Sequence, residues 1–132
     1  MAEAKAPAAR PLSPHLMIYR PSWTMVMSIV HRVTGAANYF GAALVAIWFV
    51  AMASGPGPFE TAQDFFGSII GQLILFGYTW SLMHHMIGGV RHLVWDFGHG
   101  MEPGQRFAMA RFTLFASVPL TVAIWIVAYL MA

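Results

Sequence analysis

Two short polar stretches interrupt an otherwise apolar sequence, and both carry residue types that bind metals or cofactors. Residues 84–96, HHMIGGVRHLVWD, place three histidines, two adjacent glycines, an arginine and an aspartate in apolar surroundings. Residues 28–35, SIVHRVTG, bring a hydroxyl, an imidazole and a guanidinium close together. Polar groups are expensive in apolar surroundings, so each stretch is a candidate for function.

The histidines of residues 84–96 differ in the direction that they take from a helix. Successive helical residues turn by about 100°, so His85 and His92 share a face with Gly89 between them, whereas His84 points about 100° away from His85. His85 also lies about 9 Å deeper along the helix axis than Arg91. At that depth a neutral imidazole either ligates a haem iron or hydrogen-bonds across a helix interface packed through glycines. The residues alone leave both possibilities open.

Ser28 and Arg32 in the other stretch are four residues apart and therefore lie on one helical face, with His31 beside it. Together these side chains can hydrogen-bond a quinone carbonyl or hold a carboxylate such as a haem propionate. The alternative is that Arg32 only anchors the helix at the membrane surface.

The number of available ligands bears on how many chains a haem would need. A haem bound at both axial positions needs two protein ligands, and His85 supplies one. His31 reaches the same haem only if the first two helices pack closely at matched depth; otherwise another chain supplies the second ligand. Since three helices enclose a cofactor poorly, these considerations favour a heteromeric assembly.

The elements that position these residues are predicted to be membrane-spanning helices. Hydrophobic residues make up 58% of the chain and charged residues 9%, against about 25% charged in soluble proteins. The apolar stretches 33–53, 69–90 and 112–131 are each about 20 residues long, enough to cross a bilayer. A soluble bundle would need charged outer faces, which they lack. We therefore predict an all-α integral membrane protein with three transmembrane helices, part of a heteromeric helix bundle.

Breaker residues define the predicted boundaries. Residues 1–21 form an N-terminal segment and residues 22–132 the transmembrane anchor. GPGP at 55–58 ends the first helix, and the glycines and proline of 97–105 separate the second from the third. The predicted helices cover about 22–53, 67–95 and 106–131.

The placement of charge predicts the orientation. Lysines and arginines lie before or at the start of the first helix and around the second loop, while the first loop has none. The positive-inside rule then places the N-terminus on the cytoplasmic or matrix side. The formal net charge of +2 is too small to suggest nucleic-acid binding. We expect the inner membrane of a bacterium, with the mitochondrial inner membrane as the alternative.

The two motifs together resemble a known family. RPLSPHLMIYRPSWTMVMSIVHRVTG followed by HMIGGVRHLVWDFG is similar to the cytochrome b membrane-anchor subunit of succinate dehydrogenase, respiratory complex II. The resemblance spans residues 10–98 and is weaker in the third helix. It implies a haem b shared with a second small anchor subunit that supplies the other ligand. It also implies a flavoprotein and an iron–sulfur protein docked on the cytoplasmic or matrix face, and electron transfer from succinate to ubiquinone.

The resemblance also implies roles for individual residues, although the chain itself would carry no succinate chemistry. The family's haem-ligating histidine begins the motif H-x3-G-x-R-H, which selects His85 and leaves His84 without a role. The family's quinone-site serine and arginine fall on Ser28 and Arg32, and its aspartate near the quinone falls on Asp96. His31 and Arg32 would lie near a haem propionate.

Three other functions remain open at this point. A small b-type cytochrome carrying electrons across the membrane would normally need two haems, and so more intramembrane histidines. A haem-free scaffold would only anchor partner subunits. The anchor subunit of a fumarate reductase would differ in its quinone and in the direction of the reaction.

Overall fold

The computed structural model describes residues 19–131, which form four α-helices and no strand. In chain order the helices are α1 (Trp23–Ala53), α2 (Pro56–Gly67), α3 (Ile69–Asp96) and α4 (Pro103–Met131). The all-α prediction is confirmed. Most of the predicted N-terminal segment, residues 1–21, lies outside the described residues.

Local sequence accounts for the start of α1. Pro21 precedes the helix, and the Ser22 side chain accepts a hydrogen bond from the backbone nitrogen of Met25 at 3.4 Å. This cap satisfies one of the amide groups that the first helical turn leaves unpaired. The helix then continues without interruption to Ala53, so that the polar stretch 28–35 lies in its first turns.

The short helix α2 occupies a region where the sequence analysis expected only a loop. Gly55, with φ of 109°, makes the turn after α1, and Pro56 stands at the first helical position, where its missing N–H is not needed. The GPGP segment therefore ends one helix and also starts the next. Ser68 then caps α3 by accepting from the backbone nitrogen of Gly71 at 3.1 Å, and the chain bends there by 76°.

Two helices, α1 and α4, are long and apolar enough to cross a membrane by themselves. The bent pair of α2 and α3 qualifies when the two are taken together, which brings the number of spans in the described chain to as many as three. Polar residues in the 84–96 stretch lower the apolar character of α3, and these are the residues that carry the candidate chemistry. The protein is a membrane protein with apolar helices.

The interior of the bundle is small and polar, while most large apolar side chains lie on the surface. Ala110, Thr113 and Ser117 follow one face of α4, and all three are buried. Thr113 donates its hydroxyl hydrogen to the Met109 carbonyl at 2.9 Å, so the polar group is satisfied within its own helix. Small residues let membrane helices approach closely, and the exposed apolar side chains suit a lipid environment.

Candidate functional site

His85 is held in one tautomer by the backbone of α1. Its Nδ1 lies 3.1 Å from the carbonyl oxygen of His31 and 3.4 Å from the hydroxyl of Thr34. Because a carbonyl oxygen only accepts hydrogen bonds, Nδ1 must carry the hydrogen and Nε2 the lone pair. Nε2 makes no hydrogen bond within the described part of the chain and is not fully enclosed by it. An imidazole fixed in this way is prepared to bind a metal through Nε2.

The imidazole of His31 lies flat against that of His85. The ring centroids are 4.0 Å apart and the planes differ by 4°, so α1 and α3 do pack closely at matched depth. A second axial ligand has to approach the metal from the side opposite His85 Nε2, whereas a ring stacked beside His85 does not face that nitrogen. The close packing therefore does not make His31 the opposite ligand. We call His31 and His85 together the histidine stack.

Two glycines make the histidine stack possible, one on each helix. A Cβ on Gly88 of α3 would collide with Nδ1 of His31, and a Cβ on Gly35 of α1 would lie 3.0 Å from Cε1 of His85. Each histidine thus occupies the space that the glycine on the facing helix leaves free. A Cβ on Gly89, by contrast, would meet nothing within 4 Å. The two adjacent glycines have different roles, since Gly88 receives His31 and Gly89 leaves an open surface one turn from His85.

His84 faces the other way, into the interface with α4, and its side chain is 0% exposed. Its Nδ1 lies 3.3 Å from the hydroxyl oxygen of Ser117, which donates its own hydrogen to the Leu114 carbonyl at 2.9 Å. His84 Nδ1 is therefore the donor, and Nε2 carries the lone pair, as in His85. However, His84 Nε2 is enclosed by the chain and has no hydrogen-bond partner among the described residues.

The side chain of Arg91 folds back along α3 and does not extend into solvent. The residue is only 4% exposed, and its guanidinium carbon lies 5.1 Å from the ring centre of Trp95, one turn further along α3. Such stacking is attractive because the ring face is negative. The four-residue spacing of arginine and tryptophan is the sequence signal that indicates this contact.

The predicted quinone residues lie on the surface of the chain. Ser28 and Arg32 are exposed on one face of α1, and Ser28 donates its hydroxyl hydrogen to the Thr24 carbonyl at 2.9 Å. Gly35, seven residues after Ser28, continues that face, so the edge of the His85 ring lies beside it. Asp96 is exposed at the end of α3. Within residues 19–131, no hydrogen bond joins Asp96 to Ser28 or Arg32.

Two contacts at this site do not follow from the sequence. Thr34 lies beside His85 Nδ1 and donates its hydroxyl hydrogen within α1, to the carbonyl of Val30 or of His31, each 2.9 Å away. His92 lies beside His31, with ring centroids 5.2 Å apart. Thr34 is part of the quoted motif, but its contact with His85 depends on how α3 packs against α1.

Comparisons with known proteins show the family to which the chain belongs. Residues 7–127 match the family described as the succinate dehydrogenase/fumarate reductase transmembrane subunit. The chain is 40% identical over 118 residues to the succinate dehydrogenase cytochrome b556 subunit of Paracoccus denitrificans, covering 89% of this chain and 91% of that protein. It is 32% identical over 117 residues to the protein of that name from Rickettsia prowazekii, with the same coverage of 89% and 91%.

A mitochondrial protein is also similar. The succinate dehydrogenase cytochrome b560 subunit of Sus scrofa is 41% identical over 97 residues, which cover 70% of this chain and 56% of that protein. The family match spans nearly the whole chain, including all four helices except the end of α4. The chain therefore belongs to the succinate dehydrogenase/fumarate reductase transmembrane subunit family, in which it is a membrane anchor of the succinate dehydrogenase cytochrome b type.

Proposed function

We propose that this chain binds one axial side of a haem b through His85 Nε2 and forms part of a ubiquinone-reduction site, so that electrons from succinate reach ubiquinone. The observation that carries the proposal is the state of His85: Nδ1 donates to the His31 carbonyl, and Nε2 remains unpaired and accessible. A bound haem would supply one-electron chemistry within the membrane. The relatives from Paracoccus and Rickettsia are named cytochrome b556 subunits, which is consistent with this proposal.

The second axial ligand comes from a second small anchor subunit in this proposal. His31 is stacked on His85 and does not face Nε2, and His84 is enclosed against α4. The open surface over Gly89 lies one turn from His85 and provides room for a neighbouring group. The flavoprotein and iron–sulfur subunits complete the assembly on the side that holds the N-terminus. We place that side in the cytoplasm of a bacterium, with the mitochondrial matrix as the alternative.

In this proposal, the side chains of His31 and Arg32 bind a haem propionate. Nδ1 of His31 is buried against Gly88 without a partner among the described residues, so Nε2 is the ring nitrogen available to a carboxylate. Arg32 is exposed next to it in the sequence and offers a guanidinium that binds carboxylates through two parallel hydrogen bonds.

Ser28, Arg32 and Asp96 form this chain's share of the quinone site. Reduction of the quinone takes up two electrons and two protons. A hydroxyl can rotate, so Ser28 would turn from the Thr24 carbonyl to donate to a quinone oxygen. Arg32 would stabilise the negative charge that develops on the reduced oxygen. Asp96 is exposed at the end of α3, where we propose that it lies close to the quinone. The partner subunits supply the rest of this site and all of the succinate chemistry.

Removing the ligand tests the haem assignment directly. We expect His85→Ala to abolish the b-type band in the reduced-minus-oxidised spectrum of the purified complex. The matched control is His84→Asn, because the asparagine amide can still donate to Ser117 from near the position of Nδ1. An unchanged band in His85→Ala would refute the assignment, and a wild-type complex without any band would indicate a haem-free scaffold.

A further inference from the structure

We propose that the paired contacts of His85 with Gly35 and of His31 with Gly88 set the direction of His85 Nε2, which makes the two glycines and Thr34 positioning residues for the axial ligand. This inference rests on the proposed function, in which His85 binds haem iron. In the structure, Gly35 and Gly88 receive the two imidazoles that stack on each other.

The His85 ring is restrained on three sides by α1. The His31 ring covers one face at 4.0 Å. Gly35 lies along one edge of the ring: a Cβ added to it would be 3.0 Å from Cε1, the carbon between the two ring nitrogens. Nδ1 is held by the His31 carbonyl at 3.1 Å, with the Thr34 hydroxyl as a more distant neighbour at 3.4 Å. With its face, one edge and one nitrogen all contacted by α1, the ring has a single direction left for Nε2.

The principal hydrogen-bond acceptor for His85 is a backbone atom, so no side-chain substitution at residue 31 removes it. The hydrogen bond between His85 Nδ1 and the His31 carbonyl is lost only if the His85 ring turns or if α1 and α3 separate. Gly88 controls that separation because His31 packs directly against it. A ligating histidine that donates its other N–H to a carbonyl is more basic, which favours the oxidised iron. Loss of this hydrogen bond should therefore raise the midpoint potential of the haem.

The test substitutes Gly35→Ala and, separately, Gly88→Ala in the intact complex. Gly35→Ala adds one methyl group at a distance that obliges His85 to shift by a few tenths of an ångström, a change small enough to leave the fold in place. Gly88→Ala displaces His31 and acts on His85 from the other helix. Both variants should shift the g values of the low-spin ferric haem and raise its midpoint potential.

Gly77→Ala is the matched control, since a Cβ on Gly77 of α3 meets nothing within 4 Å. If the Gly35 and Gly88 variants have the ferric spectrum and midpoint potential of this control, the inference is wrong. If either variant assembles but loses its haem while the control retains it, the inference is supported. Should both glycine variants fail to assemble, Thr34→Val decides. It keeps the side-chain shape but removes the hydroxyl near Nδ1, and an unchanged potential there overturns the inference.

The outcomes separate this inference from the proposed function. A haem band that persists in His85→Ala refutes the ligand assignment, whatever the glycine variants show. A band that is lost in His85→Ala, together with glycine variants identical to Gly77→Ala, leaves the ligand in place and refutes only its positioning by Gly35 and Gly88.

Discussion

The two interfaces of α3 treat adjacent histidines in opposite ways. On the α1 side, His85 donates through Nδ1 and leaves Nε2 accessible. On the α4 side, His84 also donates through Nδ1, but the chain encloses its Nε2. Residue type, depth and tautomer are therefore nearly the same, and access to the second ring nitrogen is the difference. We call the α1 interface, where His85 Nε2 is accessible, the open side, and the α4 interface, where His84 Nε2 is buried, the enclosed side. Changes on the open side should affect haem binding and quinone reduction, whereas changes on the enclosed side should affect stability.

The largest effect after loss of the ligand itself is expected on the open side, at the exposed face of α1. Ser28→Ala or Arg32→Leu should lower quinone reduction at least about tenfold, because a hydrogen bond to a charged group contributes about 1.5–3 kcal/mol. Reduction of an artificial dye by the soluble subunits should persist. Both activities are measured on the same purified complex.

Ser54→Ala is the control for the serine variant. Ser54 follows the other end of α1 and donates its hydroxyl hydrogen to the Val50 carbonyl at 2.7 Å, the same kind of bond that Ser28 makes with Thr24. A parallel fall in quinone and dye reduction in the Ser28 and Arg32 variants would contradict their assignment to the quinone site.

A smaller effect of a different kind is expected on the enclosed side. Ser117→Ala removes the acceptor of His84 Nδ1 and leaves a buried donor unpaired, which should destabilise the complex by about 1–3 kcal/mol. Thermal unfolding of the purified complex measures this loss as a lower Tm. The haem spectrum and midpoint potential should stay at their wild-type values, and a shift in either would show that the two interfaces of α3 are coupled.

The smallest effect concerns Arg91. Arg91→Lys keeps the charge but removes the planar group stacked on Trp95, and it should lower stability by about 0.5–1 kcal/mol. The control is Arg111→Lys, at an exposed position of α4. Equal Tm values for the two variants would show that the stacking on Trp95 contributes nothing measurable.

Much of the site follows from spacing within one helix. The register of His84 and His85 and the common face of Ser28 and Arg32 require only the 100° turn per residue. The haem-binding role of His85 came from the family resemblance and stays a proposal. The stacking of His31 and the nearness of Thr34 depend on how deeply α1 sits against α3, which a single sequence does not specify.

The structure differs most from the predicted helix bounds where proline, as a breaker residue, has two meanings. Proline ends a helix when it falls inside and starts one when it falls in the first turn. Pro56 therefore begins α2 in a region expected to be a loop, and Pro103 begins α4 three residues earlier than expected. The burial of Arg91 does not follow from the sequence, because a long side chain near a helix end can extend or fold back, and only its neighbours decide which occurs.

The bend at Ser68 has a consequence for the far end of α3. Because α2 is turned 76° away, a crossing of the bilayer by this bent pair would depend on α3, whose 28 residues extend about 42 Å at about 1.5 Å per residue. The hydrocarbon layer is only about 30 Å thick. If α2 rests at one membrane surface, an upright α3 emerges from the opposite surface by about two turns. The carboxylate of Asp96 then lies beyond the hydrocarbon layer, among the lipid headgroups.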